Sequence, residues 1–522
     1  MGLVLRHIMQ KLPRLSRIDV AVAAFAVWTV VNDAFIQQRE CKCYCGLATV
    51  LLCYAGIRML RHKSELVLGL IAAWSMVEAV VSVMQFCGFA ESNHLLFSVT
   101  GTFRNPGPLG GFLAVGVTVF AGLAVHGLER KSILMILAAA LGLVAVMLAV
   151  ADSRAGWLAA IAGIVFGFWP QIFRLWHRCR IYVKASIVII VVCFLSAMYL
   201  HKAQSAAGRL LIWRVTADMV ADSPVTGHGS GSFAEKYMYY QADYFKNHTD
   251  SMFADRAGVV DRSFNDLLRA WSEGGIVAVA IICFIACNID WKASGKQRIV
   301  NAAIISMAVF AMFSYPSCII HFQFLCAALL ACTSCKGSVE NKERNTAFIG
   351  CILLAACCGM VAYSQNREAS AAENVRRFIS TSGDAAVDDY ETLSCTPSLL
   401  AMYATYATMY LPHVESKKLL EYTVTKTPTP DLLCDLALEY AKDKDYASAE
   451  ETLQTAKYMM PRKIRPQYEL YRLAVACGDT LQARRIIRQC SSMEVENTSA
   501  LRMVGEMKRF YANTSMYHGA VD

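Results

Sequence analysis

The stretch that decides the fold is Ser-Val-Thr-Gly-Thr-Phe-Arg-Asn-Pro-Gly-Pro-Leu-Gly-Gly, residues 98–111, with the apolar run that continues to residue 127. Its Gly and Pro residues end one helix and start the next. A bilayer span needs about 20 apolar residues, and runs of that size fill the first two-thirds of the chain. The sequence therefore predicts an all-α polytopic membrane protein with about 11 transmembrane helices. The predicted spans lie near residues 18–36, 44–60, 65–87, 107–127, 132–151, 155–173, 182–200, 270–289, 299–316, 318–335 and 346–364.

The composition supports a membrane protein. The 522 residues are 56% hydrophobic and have a mean hydropathy of +0.38, which is rare for a soluble chain of this length. The net charge of +9 comes from basic residues dispersed between the spans, so it gives little indication of nucleic-acid binding. No small-residue cleavage site follows the basic amino terminus, so we expect the first span to be retained.

The loops between the spans alternate in charge. The short outer loops hold only Arg39, Lys42, Arg104 and Arg154. By the positive-inside rule, the amino terminus is cytosolic and the region after the last span is extracytoplasmic. We therefore predict a multi-pass protein of the bacterial inner (cytoplasmic) membrane with a periplasmic carboxy-terminal domain. The predicted inner loops hold Arg58, Arg61, Lys63, Arg130, Lys131, Arg174, Arg178, Arg180, Lys184, Lys292, Lys296, Arg298, Lys336, Lys342 and Arg344.

Two domains follow from this pattern. Residues 1–364 form the multi-span membrane domain, interrupted by a long polar outer loop at 201–263, and residues 365–522 form a soluble helical domain. The second domain contains a tetratricopeptide-like pattern. Such a repeat either presents a concave surface to a partner or only caps the membrane domain. The pattern comprises Leu433, Leu436, Ala437 and Tyr440 on one helix, Ala449, Leu453 and Ala456 on the next, and Pro461 at the end.

Cysteine usage does not predict a metal site. Most of the 20 cysteines lie inside apolar runs, where they act as small hydrophobic residues. Cys41-x-Cys43-x-Cys45 lacks both the Cys-x-x-Cys spacing and a nearby histidine that metal sites use. We expect no metal and no cofactor.

Two outer arginines are candidate anion ligands. Arg104 precedes the helix that begins after Asn105-Pro106, and a helix amino terminus offers free N–H groups to an anion. Arg154 follows Asp152-Ser153 at the start of an apolar span. An arginine at the end of a span often only extends its side chain to the membrane interface. On the outer face, however, basic residues are few, and this favours a functional role for Arg154.

The long outer loop contributes two more arginines and a glycine-rich turn. Gly208-Arg209-Leu210-Leu211-Ile212-Trp213-Arg214 opens it, and Pro224-Val225-Thr226-Gly227-His228-Gly229-Ser230-Gly231 follows. The turn is neither a Walker loop nor a dinucleotide fingerprint, because no strand precedes it.

The end of this loop carries a polar helix face. Asn265, Arg269 and Glu273 are four residues apart, so they share one face, and Asp266 follows Asn265. An ionisable residue such as Glu273 near a span is a functional candidate.

In their order, these motifs resemble the O-antigen ligase family of bacterial membrane glycan transferases, over about residues 95–330. The resemblance rests on Gly-Thr-Phe-x-Asn-Pro at 101, Ser-Arg-x-Gly-Trp at 153, Gly-Arg-x-x-x-Trp at 208, the glycine-rich turn from Pro224, and Asn265 with Glu273. The family also contains polymerases of the same type and O-linked protein oligosaccharyltransferases, and some members carry a tetratricopeptide-like tail.

The resemblance implies transfer of a glycan from undecaprenyl diphosphate to an acceptor hydroxyl on the periplasmic face, without a metal. Arg154 and Arg209 match the family's arginine positions, and Arg214 and Arg104 are further candidates for binding the diphosphate. The family's histidine before the last asparagine is replaced by Phe264. The catalytic candidates are therefore Glu273, Asn265, Asp266 and His228, and Asp261 is another possible base.

The acceptor stays open at this stage. Ligation to lipid A–core is the leading interpretation, and a further glycan repeat or a protein Ser or Thr are the alternatives within the same chemistry. A transporter of lipid-linked sugars would instead place charges within the spans and repeat symmetry between the halves. Glu78 is the clearest mid-span charge. A scaffold with a partner-binding tail would leave the outer arginines without a role.

Overall fold

The protein folds almost entirely into helices. Among the residues that the computed structural model describes there is no β-strand, which confirms the all-α membrane class. Arg39, Lys42, Cys41 and Cys43 of the sequence analysis lie outside these residues. The described residues are 15–38, 44–60, 63–94, 96–126, 131–201, 203–249, 251–333, 346–383, 393, 396–493 and 497–518.

We number the helices in chain order. They are α1 (Arg17–Val31, followed by a π-helical turn at Asn32–Ile36), α2 (Cys45–Met59), α3 (Lys63–Phe86), α4 (Pro106–His126), α5 (Lys131–Val150), α6 (Arg154–Gly167), α7 (Trp169–Arg178), α8 (Ile181–His201), α9 (Ala203–Asp222), α10 (Ser232–Asn247), α11 (Asp266–Asn288), α12 (Lys296–Ala311), α13 (Ile320–Cys332), α14 (Thr346–Ser380), α15 (Pro397–Tyr410), α16 (His413–Lys426), α17 (Pro430–Lys442), α18 (Tyr446–Met459), α19 (Ile464–Ala476), α20 (Thr480–Ser491) and α21 (Thr498–His518).

The helices are grouped in two compact units. Unit 1 comprises residues 1–203, 224–229 and 263–363, and unit 2 comprises residues 204–223, 230–262 and 364–522. The sequence analysis assigned the whole of 201–263 to the membrane domain, whereas most of these residues pack in the same unit as the carboxy-terminal helices.

Unit 1 holds the membrane helices. In the described part of the chain, six helices are long and apolar enough to cross a bilayer, or seven if the bent pair α6 and α7 forms one span. The predicted number of 11 is thus not confirmed. Helices α2, α12 and α13 have only 15, 16 and 13 residues, fewer than the about 20 of a full span, and only Ile181–Cys193 of α8 is counted as apolar helix.

The predicted span at 155–173 is broken into two helices. The chain bends by 80° between α6 and α7, and Pro170 lies in the first turn of α7, where proline is well tolerated because no N–H is needed. None of the residues in α7 is buried.

Helix α4 forms the centre of unit 1. In its apolar segment 78% of the residues are buried, and it packs against α6 and α12. The approach to α6 is so close that a Cβ on Gly156 would lie 2.6 Å from the carbonyl oxygen of Gly110. This contact fixes the start of α6, and with it Arg154, beside the start of α4.

Unit 2 joins the long loop to the carboxy-terminal helices. Helix α10 packs on α18, and the Gln241 side-chain amide donates hydrogen bonds to the carbonyls of Met459 (2.6 Å) and Gly258 (3.1 Å). Arg462 and Asp255 add an ion pair of 2.7 Å. Because the two segments pack together, they lie on the same side of the membrane.

The repeat-like helices α16 and α17 are joined by a histidine. Nδ1 of His413 faces a carboxylate oxygen of Glu439, and Nε2 lies 2.6 Å from Oδ1 of Asp443. Lys417 and Lys442 face the remaining oxygens of Asp443 and Glu439, each at 2.7 Å. Hydrogen bonds to Asp443 and Glu439 raise the pKa of His413 above its ordinary value.

This histidine makes the α16–α17 contact dependent on pH. The folded-state pKa of His413 is raised, so the protonated side chain stabilises the folded state. This stabilisation is complete below the unfolded-state pKa of about 6.5 and is lost as the pH rises through the folded-state pKa. Bonding to Lys417 lowers the pKa of Asp443, so the contribution of Asp443 is lost only in acid. We expect His413→Gln to speed hydrogen exchange in residues 413–442, relative to wild type, at pH 6 more than at pH 9.

The matched control for this experiment is His248→Gln. The His248 ring bonds the Tyr244 carbonyl, one turn earlier in the chain. His248→Gln should therefore leave the rate of hydrogen exchange in residues 413–442 unchanged. An equal ratio of variant to wild-type exchange at both pH values would contradict the assignment.

Candidate functional site

The amino terminus of α11 is tightly built. Oδ1 of Asn265 accepts hydrogen bonds from the backbone N–H groups of Leu267 (3.0 Å) and Leu268 (3.1 Å), so Asn265 is the amino-terminal cap of the helix. Phe264 has a left-handed φ of 51° and packs edge-on against Tyr315, with ring centroids 5.1 Å apart. The side chain at the family's histidine position therefore sits in an aromatic contact.

The charged residues of α11 form one network with the segment before α13. Arg269 Nε pairs with Glu273 Oε1 at 3.0 Å, and its NH1 lies 3.1 Å from Ser317 Oγ. Ser317 donates from its hydroxyl (2.6 Å) and its N–H (2.9 Å) to the two oxygens of Asp266. Two of the predicted catalytic residues, Asp266 and Glu273, are thus brought together through Arg269 and Ser317.

Helix α11 is kinked where the glycine-rich turn meets it. Gly275 has φ 67° and ψ −171°, which frees the backbone for pairing with residues 224–229. The N–H of His228 donates to the Ser272 carbonyl (2.9 Å), that of Gly229 to the Glu273 carbonyl (2.8 Å), and that of Ile276 to the Pro224 carbonyl (2.9 Å). His228, with 7% of its surface exposed, is fixed beside Glu273 by backbone bonds.

The end of α1 supports the same turn. Nδ2 of Asn32 donates to the carbonyls of Thr226 (2.9 Å) and Glu273 (3.2 Å), and Nε2 of Gln37 donates to the Gly227 carbonyl at 2.8 Å. Two separate segments of unit 1, the end of α1 and the 224–229 turn, therefore hold the backbone around Glu273.

The loop at 98–105 is anchored to α3 by buried polar side chains. Glu78 is fully buried, at 0% exposed, and accepts hydrogen bonds from the Thr102 N–H (2.9 Å), the Thr102 hydroxyl (2.5 Å) and Trp74 Nε1 (3.1 Å). Gln85 accepts from the N–H groups of Thr100 (2.9 Å) and Gly101 (2.8 Å). The mid-span charge noted in the sequence is therefore a support for the first outer motif.

Removing this anchor has a defined cost. We expect Glu78→Ala to destabilise unit 1 by about 2–3 kcal/mol, the scale for hydrogen bonds to a charged group, and to make residues 98–105 exchange hydrogen faster. Thermal unfolding in detergent and hydrogen exchange measure the two effects. Glu65→Ala is the control, since its pair with Lys296 is about half exposed and such pairs contribute at most about 1 kcal/mol. Equal effects of the two changes would contradict the role of Glu78.

Arg104 and Arg154 lie at this same end of unit 1. Ser153 caps α6 through the Gly156 N–H (3.2 Å) and donates from its hydroxyl to the Gly107 carbonyl (3.2 Å). Arg154, the first residue of α6, is half-buried, whereas Arg104 is exposed. The cap and the Gly107 contact thus tie the second outer motif to the first.

The other two arginines belong to unit 2. Arg209 and Arg214 are on α9, five residues apart, which turns them to different faces of the helix. Arg209 is half-buried and Arg214 is exposed. Unit 1 thus contains six of the eight predicted site residues and unit 2 contains these two.

Several residues of this site escaped the sequence analysis. Ser317, Gln85 and the contacts of Arg269 have no motif in the sequence that marks them. Within the described ranges, no three His, Cys, Asp or Glu side chains are grouped as metal ligands. The metal-free site stays a prediction.

Comparison with known proteins supports the earlier resemblance. Residues 138–283 match the family model described as O-Antigen ligase, which confirms the resemblance to that family. The match includes Arg154, Arg209, Arg214, His228, Asn265, Asp266 and Glu273 and leaves out Arg104. No curated protein and no solved structure matches the chain at a significant level.

Proposed function

With residues 138–283 matching the O-antigen ligase family, we propose that this membrane protein transfers a glycan from undecaprenyl diphosphate to an acceptor hydroxyl. The reaction takes place on the periplasmic face of the bacterial inner membrane, and lipid A–core is the acceptor we favour. The donor, the acceptor and the side of the membrane are all parts of this proposal.

One observation carries it: four of the five candidate motifs belong to unit 1 and lie at one end of it. Ser153 bonds Gly107, Asp266 bonds Ser317, and His228 bonds Ser272. Glycan transfer needs cations for the leaving diphosphate and a base for the acceptor hydroxyl. This end of unit 1 holds a cation, Arg154, and several titratable side chains, Asp266, Glu273 and His228 among them.

The packing of unit 2 supports the topology. The long loop and the carboxy-terminal helices pack together through α10 and α18. Four predicted spans separate the two segments, and an even number returns the chain to the side it left. The charge bias of the loops then places that side outside the cytosol.

Deletion of the gene in its host, beside a complemented strain, tests this function. Loss of the long lipopolysaccharide ladder with accumulation of undecaprenyl-linked glycan supports ligation. Lipid A–core capped by a single repeat would move the activity to polymerisation, and an intact ladder with lost protein glycosylation would move the acceptor to protein. Unchanged glycans of every class would overturn the proposal and favour a transporter or scaffold.

A further inference from the structure

His321 lies where the first and the last outer motifs meet. It is the second residue of α13, one turn after Ser317, whose hydroxyl bonds Asp266. Its ring packs edge-on against Phe103 of the first motif, with centroids 5.2 Å apart, and against Trp74, at 5.6 Å. Trp74 in turn donates to Glu78, the anchor of Thr102.

The hydrogen bonding of this ring is incomplete. Nδ1 of His321 is enclosed and has no hydrogen-bond partner among the described residues. A buried polar atom without a partner is costly, and such an atom in a native structure calls for an explanation. Only Nδ1 of the two ring nitrogens is enclosed in this way, and the residue as a whole is half-buried, so Nε2 is the nitrogen open to a substrate.

The other candidate bases at this end are already engaged. Glu273 is paired with Arg269, both oxygens of Asp266 accept from Ser317, and His228 is 7% exposed. His94 is half-buried, and its Nδ1 accepts from the Leu96 N–H at 3.0 Å, so the proton of its neutral ring sits on Nε2. His321 is the imidazole at this end of unit 1 that combines a fixed ring with a nitrogen free for a substrate.

We propose that His321 is the general base for the acceptor hydroxyl, an inference that rests on the proposed function. The proton of the neutral ring sits on Nδ1, within the aromatic contacts, and the Nε2 lone pair accepts the acceptor proton. As the acceptor O–H bond breaks, its oxygen forms the new bond to the anomeric carbon. The bond from that carbon to the diphosphate breaks, and the diphosphate leaves with the electron pair.

This assignment supplies a base in a chain that has Phe264 where the resembled family has a histidine. Phe264 contacts Tyr315, six residues before His321, so the base has moved from the start of α11 to the start of α13. The acceptor would then be bound between the 98–105 loop and the start of α13, within unit 1.

The experiment compares the full-length wild type with His321→Ala, His321→Gln and the control His94→Ala, using a lipid-linked glycan donor and an acceptor in detergent. We expect kcat to fall by at least a hundredfold in both His321 variants, within the 10²–10⁴ range of general base catalysis. The acid limb of the pH profile should disappear in His321→Gln, and imidazole should restore part of the rate in His321→Ala only. His94→Ala should match wild type.

The outcomes separate the two proposals. Wild-type rates in His321→Gln would overturn this inference alone. So would a loss of rate with an unchanged pH profile and no rescue by imidazole, because that result indicates a structural role. A wild-type protein that transfers no glycan to any acceptor would overturn the proposed function and this inference with it.

Discussion

Glycan transfer is expected to fall a hundredfold to a thousandfold when Arg154 is replaced by alanine, while the protein still folds. The diphosphate leaving group gains negative charge as the glycosidic bond breaks, and loss of one preorganised donor to such a charge costs about 10²–10³ in kcat. The Ser153 cap and the Gly107 contact fix the backbone at Arg154. Initial rates with a lipid-linked donor measure the effect.

Two further variants define the role of the arginine. Arg154→Lys keeps the charge but not the two-pronged geometry that matches a phosphate, so we expect an intermediate rate. Arg174→Ala is the control, because Arg174 is exposed and its side chain bonds the Pro170 carbonyl of its own helix. A rate for Arg154→Ala within twofold of that for Arg174→Ala would remove Arg154 from the diphosphate site.

The same measurement extends to Arg209, which lies in unit 2. Arg209→Ala should cause a comparable loss, since Arg209 also matches the family's arginine positions. A rate for Arg209→Ala within twofold of that for Arg174→Ala would remove Arg209 from the diphosphate site.

Much of the membrane fold was accessible from hydropathy. The predicted spans at 65–87, 107–127 and 132–151 differ by one or two residues at each end from α3, α4 and α5. A long apolar run bounded by charged residues or by Gly and Pro strongly favours a helix. The bend after Gly167 was missed. Hydropathy is averaged over a whole apolar run, so it does not detect that a second helix begins after the bend, with Pro170 in its first turn.

The site was accessible only in part. Asn265, Arg269 and Glu273 share a face because of helical spacing alone. Their partners in the structure, Ser317 and the backbone of 224–229, come from distant parts of the chain, and spacing carries no information on them. The contact between the buried Glu78 and Thr102 could not be predicted either, because one sequence alone does not show that a charge within a span bonds a loop residue 24 positions later.

The second large effect concerns the kink of α11, where we expect Gly275→Ala to destabilise unit 1 by about 3 kcal/mol or more. The backbone at Gly275, with φ 67° and ψ −171°, is in a region that is essentially closed to other residues. A Cβ would also lie 1.9 Å from the Val225 carbonyl oxygen. Relief of this clash requires separating residues 224–229 from α11, which breaks the bonds that hold His228 and Gly229.

Thermal unfolding in detergent and transfer rates should therefore fall together in Gly275→Ala. Gly142→Ala is the matched control, because no atom lies within 4 Å of its Cβ position and alanine is favoured over glycine in a helix by up to about 1 kcal/mol. If Gly275→Ala unfolds like wild type, the glycine is not needed for the kink. If it unfolds like wild type but transfers no glycan, the 224–229 turn serves the reaction rather than the fold. The Cβ that alanine adds at Gly275 disturbs both the fold of unit 1 and the 224–229 turn, so we expect stability and transfer rate to fall together and neither of these results.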